Sequence, residues 1–369
     1  MAAWFDKRTL YHFDWPLLAG VLALTALGIM TLLSAAYAGR QGWVEPVVVR
    51  QLLWAALGTV LLLGAALSDY RKLAAAAYPF YGLALALLAA VAVGGREMGG
   101  SRRWLSLGVF RLEPSELMKL ALVVVLARYF SREPPAGGWR GRHLLVPALL
   151  IAPAAALVMK QPDLGTALVL LMAGATVIFG GGLRLRTGLG IVLSVALSMP
   201  LAWHELKPYQ RARLESFVNP QADPLRSGYH LIQSEIAIGA GGALGKGFLK
   251  GTQARLNFLP ERRTDFIFSV FAEEFGFFGA TLLLAVYAAM VWRGLAVARR
   301  ARERFGALLA LGFTSIILWQ VVINVGMASG LLPVVGIPLP FVSYGGTSLV
   351  AMMFGVGLII SVNIRRYLF

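Results

Sequence analysis

The sequence predicts an all-α integral membrane protein. It has ten transmembrane helices, both termini in the cytoplasm, and a long extracytoplasmic loop between helices 7 and 8. Three observations predict this. Of 369 residues, 58% are hydrophobic and only 14% are charged, whereas soluble domains carry roughly 25% charged residues. Ten stretches approach the ~20 apolar residues that cross a bilayer as a helix. The basic residues divide unevenly between the loops on the two sides of those stretches.

The first span lies near 16–37. Ala36-Tyr37-Ala38 beside it resembles a signal-peptide cleavage site. The apolar run is longer than a 7–15-residue secretory core and nine spans follow, so the segment reads as a retained helix. The next six spans lie near 46–68, 73–93, 114–130, 144–159, 164–181 and 186–204. A polar loop over about 205–265 follows, then spans near 266–292, 305–329 and 344–363. Residues 1–369 thus read as a single polytopic membrane domain.

Orientation follows from the loops. With the N-terminus inside, the inner side holds Lys7, Arg8, Arg71, Lys72, Arg128, Arg132, Arg140, Arg142, Arg184 and Arg186. It also holds Arg293, Arg299, Arg300, Arg302, Arg304, Arg365 and Arg366. The short outer loops hold little beyond Arg40 and Lys160. That bias puts both termini in the cytoplasm. It also accounts for the net charge of +16 without a nucleic-acid partner. The chain has no cysteine, and its four histidines lack ligand spacing, so neither disulfides nor a zinc centre is expected.

The polar residues of the spans gather at one level. Arg50, Glu116, Lys119, Lys160, Asp163, Asp265, Asn324 and Tyr344 all fall at the outer ends of their segments. Ionisable residues inside a membrane are costly and face a cavity or a partner. A transporter needs a polar path through the midplane, whereas an enzyme fed from the outer leaflet needs polarity only there. Asp265 opens the eighth span, and Arg262 and Arg263 beside it are expected to favour its ionised form. Pro114 suits the first position of a helix, which places Glu116 at the positive end of the dipole and on one face with Lys119. That pair reads equally as a structural lock or as a pyrophosphate contact. Glu273 and Glu274, adjacent and deeper, read as paired structural groups.

Gly239-Ala-Gly-Gly-Ala-Leu-Gly245-Lys246-Gly247 fails as a phosphate loop. Its first glycine is out of spacing, and Gly247 stands where the magnesium-binding hydroxyl belongs. It reads as a flexible or close-packed re-entrant loop. Tyr229–Ile238 before it reads as a helix at the membrane interface. The run Gly330–Thr347 holds three prolines, is not helical, and is too apolar for a solvated loop. It reads as a re-entrant lid over an outer cavity.

Five motifs in order resemble the SEDS family (shape, elongation, division and sporulation). They are Gly100-Ser-Arg-Arg-Trp-Leu105, Glu113-Pro-Ser-Glu-Leu-Met-Lys119, Gln161-Pro-Asp-Leu-Gly-Thr166, Leu259-Pro-Glu-Arg-Arg-Thr-Asp-Phe-Ile-Phe268 with Ala272-Glu-Glu-Phe-Gly276, and Gly330 through Thr347. Leu256–Arg262 and Pro333–Pro338 resemble the elongation branch. Arg263 departs from it, standing where those members often carry histidine.

The resemblance implies a peptidoglycan glycosyltransferase in the bacterial cytoplasmic (inner) membrane. Its substrate would be lipid II, an undecaprenyl-pyrophosphate disaccharide-pentapeptide. A class B penicillin-binding protein would supply the transpeptidase within the elongation machinery, among membrane lipids. Asp265 matches the family's essential aspartate. Such chemistry needs a base on the acceptor hydroxyl and positive charge at the leaving group. Asp265 is the candidate catalytic base. Arg50, Glu116, Lys119, Lys160, Asp163, Arg262, Arg263, Asn324 and Tyr344 are the candidate substrate-binding residues. No cofactor is expected beyond a divalent cation at the pyrophosphate. A lipid II flippase and a non-catalytic scaffold for a transpeptidase are the alternatives.

Overall fold

The computed structural model describes residues 11–36, 45–98, 101–107, 110–133, 139–191, 193–194, 197, 208–219, 227–256, 258–259 and 261–367. Most of the described apolar stretches are helical. Helices α1 (Trp15–Ala36), α2 (Pro46–Leu67) and α3 (Arg71–Gly94) come first, and α4 (Pro114–Phe130), α5 (Leu145–Lys160) and α6 (Leu164–Gly180) follow. After the polar region come α7 (Pro208–Val218), α8 (Ser227–Gly241), α9 (Ile267–Arg300), α10 (Arg304–Ala328) and α11 (Gly346–Arg365). Six of these, α1, α2, α3, α9, α10 and α11, are long and apolar enough to cross a membrane, and α5 and α6 are shorter apolar helices. The expected seventh span, 186–204, lies largely outside the described residues, although 185–191 are helical.

The all-helical expectation holds, with one addition. The segment after α3 forms a small antiparallel sheet, β1 (Arg96–Met98), β2 (Ser101–Leu107) and β3 (Phe110–Leu112), in the order β1-β2-β3. Strands this short leave no distinct period in an apolar sequence. Among the described residues, the polar loop carries α7 and α8. α8 packs on α9 and not only along a surface. Ser234 Oγ lies 2.6 Å from Ser269 Oγ on α9 and donates to Ala328 O at 2.6 Å.

The centre of the molecule is α4, α10 and α11. The most apolar window is 72% buried in α10 and 78% buried in α11, against 22% in α2, whose outer side is left for lipid. Close approach needs small residues. A Cβ at Gly357 of α11 would lie 2.3 Å from Leu62 O of α2, and one at Gly28 of α1 would lie 2.6 Å from Val342 O.

The termini meet on one face. The rings of His12 and Tyr367 stack at 4.0 Å. On that same face Arg293, near the end of α9, pairs with Asp14 at 2.9 Å. Asp265, the β-sheet and the α5–α6 turn therefore all sit on the opposite face.

α9 is two helices joined at a kink. Gly276 interrupts it with φ 66° and ψ −166°. The glycine-rich run splices the break. The amides of Phe277 and Phe278 donate to Gly242 O and Ala243 O at 2.9 and 3.2 Å. Their ordinary helical acceptors, Glu273 O and Glu274 O, instead take the amides of Lys246 and Gly247 at 3.0 and 2.9 Å. A Cβ at Gly245 would lie 2.1 Å from Glu274 O, so only glycine fits. The close-packed reading of this run therefore holds over the flexible one. Glu273 also stabilises the splice, accepting from Lys246 Nζ, Thr252 N and Thr252 Oγ1 at 2.8, 2.8 and 2.9 Å. Glu274 accepts from Ser34 Oγ of α1. Both carboxylates are structural, as expected of buried charge.

Candidate active site

Asp265 stands two residues before α9, in a turn closed by amides donating to Glu261 O: Thr264 and Asp265 at 3.1 Å, Phe266 at 3.3 Å. Its segment is held by its carbonyls. Arg263 O accepts from Tyr344 N at 2.9 Å, Thr264 O from Ser343 Oγ at 2.6 Å, and Asp265 O from Asn324 Nδ2 at 2.9 Å. The non-helical run 329–345 supplies Ser343 and Tyr344. The run is buried in its later part, with Ile337 and Val342 at 1% exposure, while Leu331 at its start is exposed. Gln51 of α2 fixes it in turn, donating from Nε2 to Ser343 O at 3.2 Å.

The carboxylate of Asp265 rests on Gly336. A Cβ built there would lie 3.3 Å from Asp265 Oδ2, and Gly336 holds φ +76°. Burial pushes the Asp265 pKa up to about 6, with the Glu261 carboxylate adding to it. A hydrogen bond from Thr264 and the charges of Arg103 and Arg213 oppose the rise. The expected influence of Arg262 and Arg263 is not what tunes it. Arg262 Nε donates to Ala35 O at 2.7 Å, and Arg263 Nη2 pairs with Glu45 Oε2 at 2.7 Å. Both guanidinium groups tie the turn to the α1–α2 region.

The second cluster surrounds the start of α4. Pro114 occupies its first turn and Glu116 follows as its one acidic residue there. Glu116 Oε2 and Lys119 Nζ meet at 2.8 Å, at 3% and 2% residue exposure. Glu113, just before the helix, has its pKa pushed up by burial and by Glu116 and Asp163. Asp163 caps α6, accepting from Thr166 N at 3.0 Å, and lies 3.6 Å from Arg103 Nη1. Arg103 Nε also donates to Gln161 O at 3.2 Å. Asp163 is thus engaged as a helix cap and ion-pair partner.

Arg103 links the two clusters, since its charge acts on both Asp265 and Glu113. The lid closes the gap from the other side. A Cβ at Gly165 of α6 would lie 2.9 Å from Val335 O and 3.2 Å from Gly336 O. One continuous wall therefore runs from Asp265 across Gly336 to the head of α6 and on to α4. The other expected residues are less central. Arg50 and Lys160 are exposed, Tyr344 is half-buried, and Asn324 is fully buried. Sequence reasoning missed Arg103, Glu113, Glu261, Gln51 and Ser343. Arg103 and Glu113 lie within the quoted motifs, but nothing in their spacing marks them as neighbours.

An apolar cavity of about 480 Å³ adjoins the second cluster. Trp54, Leu57 and Leu61 of α2, Phe80 of α3 and Phe354 of α11 line it, and Glu113 and Glu116 share its wall. Among the described residues, no group of three or more His, Asp and Glu side chains is placed to hold a metal ion.

The chain is similar to known proteins in sequence and in fold. The peptidoglycan glycosyltransferase MrdB of Escherichia coli (strain K12) is 41% identical over 98% of this chain and 97% of its own length. A chain from a structure on the structural coordination of polymerization and crosslinking by a peptidoglycan synthase complex is 38% identical. It superposes with a TM-score of 0.83 over 96% of this chain and 98% of that one. The rod shape determining protein RodA of Thermus thermophilus is 34% identical with a TM-score of 0.71 over the same shares, 96% and 98%. With residues 15–368 matching its model, the chain belongs to the FtsW/RodA/SpoVE family of cell cycle proteins.

Proposed function

We propose that this chain is a peptidoglycan glycosyltransferase that polymerises lipid II into glycan strands during cell elongation. The observation that carries the reading is Asp265. Its carboxylate stands on a turn whose carbonyls accept three hydrogen bonds, on the face opposite the termini, with a pKa raised to about 6. A group in that range is ionised at neutral pH yet basic enough to take a proton. The similarity to a named peptidoglycan glycosyltransferase across the whole chain supports the same reading.

The chain is a multi-pass membrane protein. We place it in the bacterial cytoplasmic membrane as one polytopic domain of ten spans, with cytoplasmic termini and the 205–265 region outside. Asp265 takes the proton of the acceptor 4-hydroxyl, and that oxygen attacks the anomeric carbon of the growing strand. The glycosidic bond forms as the bond to the lipid pyrophosphate breaks, with inversion. Lys119, Arg50 and Lys160 are the cations offered to the departing pyrophosphate, with Arg103 joining them. The apolar cavity beside Glu116 suits the hydrocarbon of an amphiphilic substrate. A class B penicillin-binding protein is the proposed transpeptidase partner, which fits the likeness to a chain of a peptidoglycan synthase complex.

The test is polymerisation of labelled lipid II by the purified protein with its transpeptidase. Asp265→Asn keeps shape and removes the base, which is worth about 10²–10⁴-fold in rate. Strand synthesis at the wild-type rate by folded Asp265→Asn protein sinks the assignment.

A further inference from the structure

We propose that Asn324 is a positioning residue for Asp265, acting through the backbone on either side of the carboxylate and not on substrate. The proposal rests on the glycosyltransferase reading of Asp265 and deepens it. Asn324 lies near the end of α10 and is 0% exposed. Its amide nitrogen donates to Asp265 O at 2.9 Å and to Ile337 O at 2.7 Å. An amide offers two N–H donors, and both are spent on these carbonyls. Its Oδ1 is buried without a partner, and at 0% exposure the side chain is closed to substrate.

The choice of carbonyls matters. Ile337 follows Gly336, the residue on which the Asp265 carboxylate rests. One side chain therefore sets the spacing between the backbone of Asp265 and the surface against its Oδ2. Ser343 repeats the device one residue earlier. It donates to Thr264 O at 2.6 Å and accepts from Leu339 N at 2.8 Å. The lid run is thus a jig for the catalytic turn. Aspartate at 324 would offer no donor and would set acceptor against acceptor. Alanine would leave two buried carbonyls without a partner.

The experiment measures kcat and KM for lipid II in the complex with its transpeptidase. Wild type, Asn324→Asp, Asn324→Ser, Ser343→Ala and Asp265→Asn are compared, each with a melting curve. Asn324→Asp is expected to lower kcat about 10–100-fold, as misplacement near 1 Å does, while KM stays within about twofold. Ser343→Ala shifts kcat the same way but less. Should Asn324→Asp not fold, Asn324→Ser, which keeps a donor, decides on the same split. A raised KM with unchanged kcat would make Asn324 a substrate-binding residue and overturn the proposal. A lower melting temperature with wild-type kcat per folded molecule would make it structural, which overturns the proposal too. Asp265→Asn separates the levels. If it is inactive while the Asn324 variants are normal, only the positioning role falls. If Asp265→Asn is active, the catalytic reading itself falls.

Discussion

Asp265 shows how far neighbours in sequence mislead about neighbours in space. Two flanking arginines would hold a carboxylate in its ionised form well below neutrality. Instead they turn to Ala35 O and Glu45, and burial with Glu261 raises the pKa to about 6. The proposed base works only when deprotonated, so the rate is full above that value and falls as pH drops through it. The acid limb of kcat/KM, which reports the free enzyme, is therefore expected near pH 6. A limb at pH 4 would restore the arginines to the role the sequence suggested. Removing the Glu261 charge with Glu261→Gln should move the limb to lower pH, since a like charge disfavours ionisation.

Two elements carry buried charge in different ways. On α4, Lys119 neutralises Glu116 inside the bundle. Lys119→Met strands a buried carboxylate, at a cost of about 3–5 kcal/mol. The double change of Glu116→Gln with Lys119→Met removes both charges and should restore most of that stability. If Lys119 also meets the pyrophosphate, the double variant folds but stays slow in polymerisation. Equal stability and full activity in both variants would leave the pair peripheral. On α9, the splice depends on glycine where the backbones cross. Gly245→Ala sets a Cβ against Glu274 O at a φ of +79°, so its melting temperature should fall by more than that of Gly239→Ala. Gly239 has open space around its Cβ direction. Similar melting curves for the two would show the splice to be slack.

At the scale of the whole molecule, the two faces differ in what they hold. The face with the termini carries exposed Arg299, Arg300, Arg302 and Arg304 at the α9–α10 turn. The opposite face carries the Asp265 turn. The chain has no cysteine, so single introduced thiols report topology cleanly. In intact spheroplasts, Glu261→Cys should react with a membrane-impermeant maleimide, and Arg302→Cys should react only after lysis. The reverse pattern would invert the orientation and remove the proposed access to an outer-leaflet substrate.

Composition and hydrophobic run length by themselves determined that this chain lives in a membrane as packed helices, because lipid leaves the backbone no other way to satisfy itself there. The depth of Asp265, Glu116, Lys119 and Asn324 was also legible, since depth follows from position along a span. What each side chain touches was decided only by the tertiary structure. Depth fixes a residue along one axis, whereas a hydrogen bond needs all three. Asn324 and Asp163 share a level with the proposed substrate-binding groups, yet one donates to two carbonyls and the other caps a helix. Arg103 and Asp265, 162 positions apart in the sequence, are brought within electrostatic reach because the sheet bonds the α5–α6 turn and the lid packs on the head of α6.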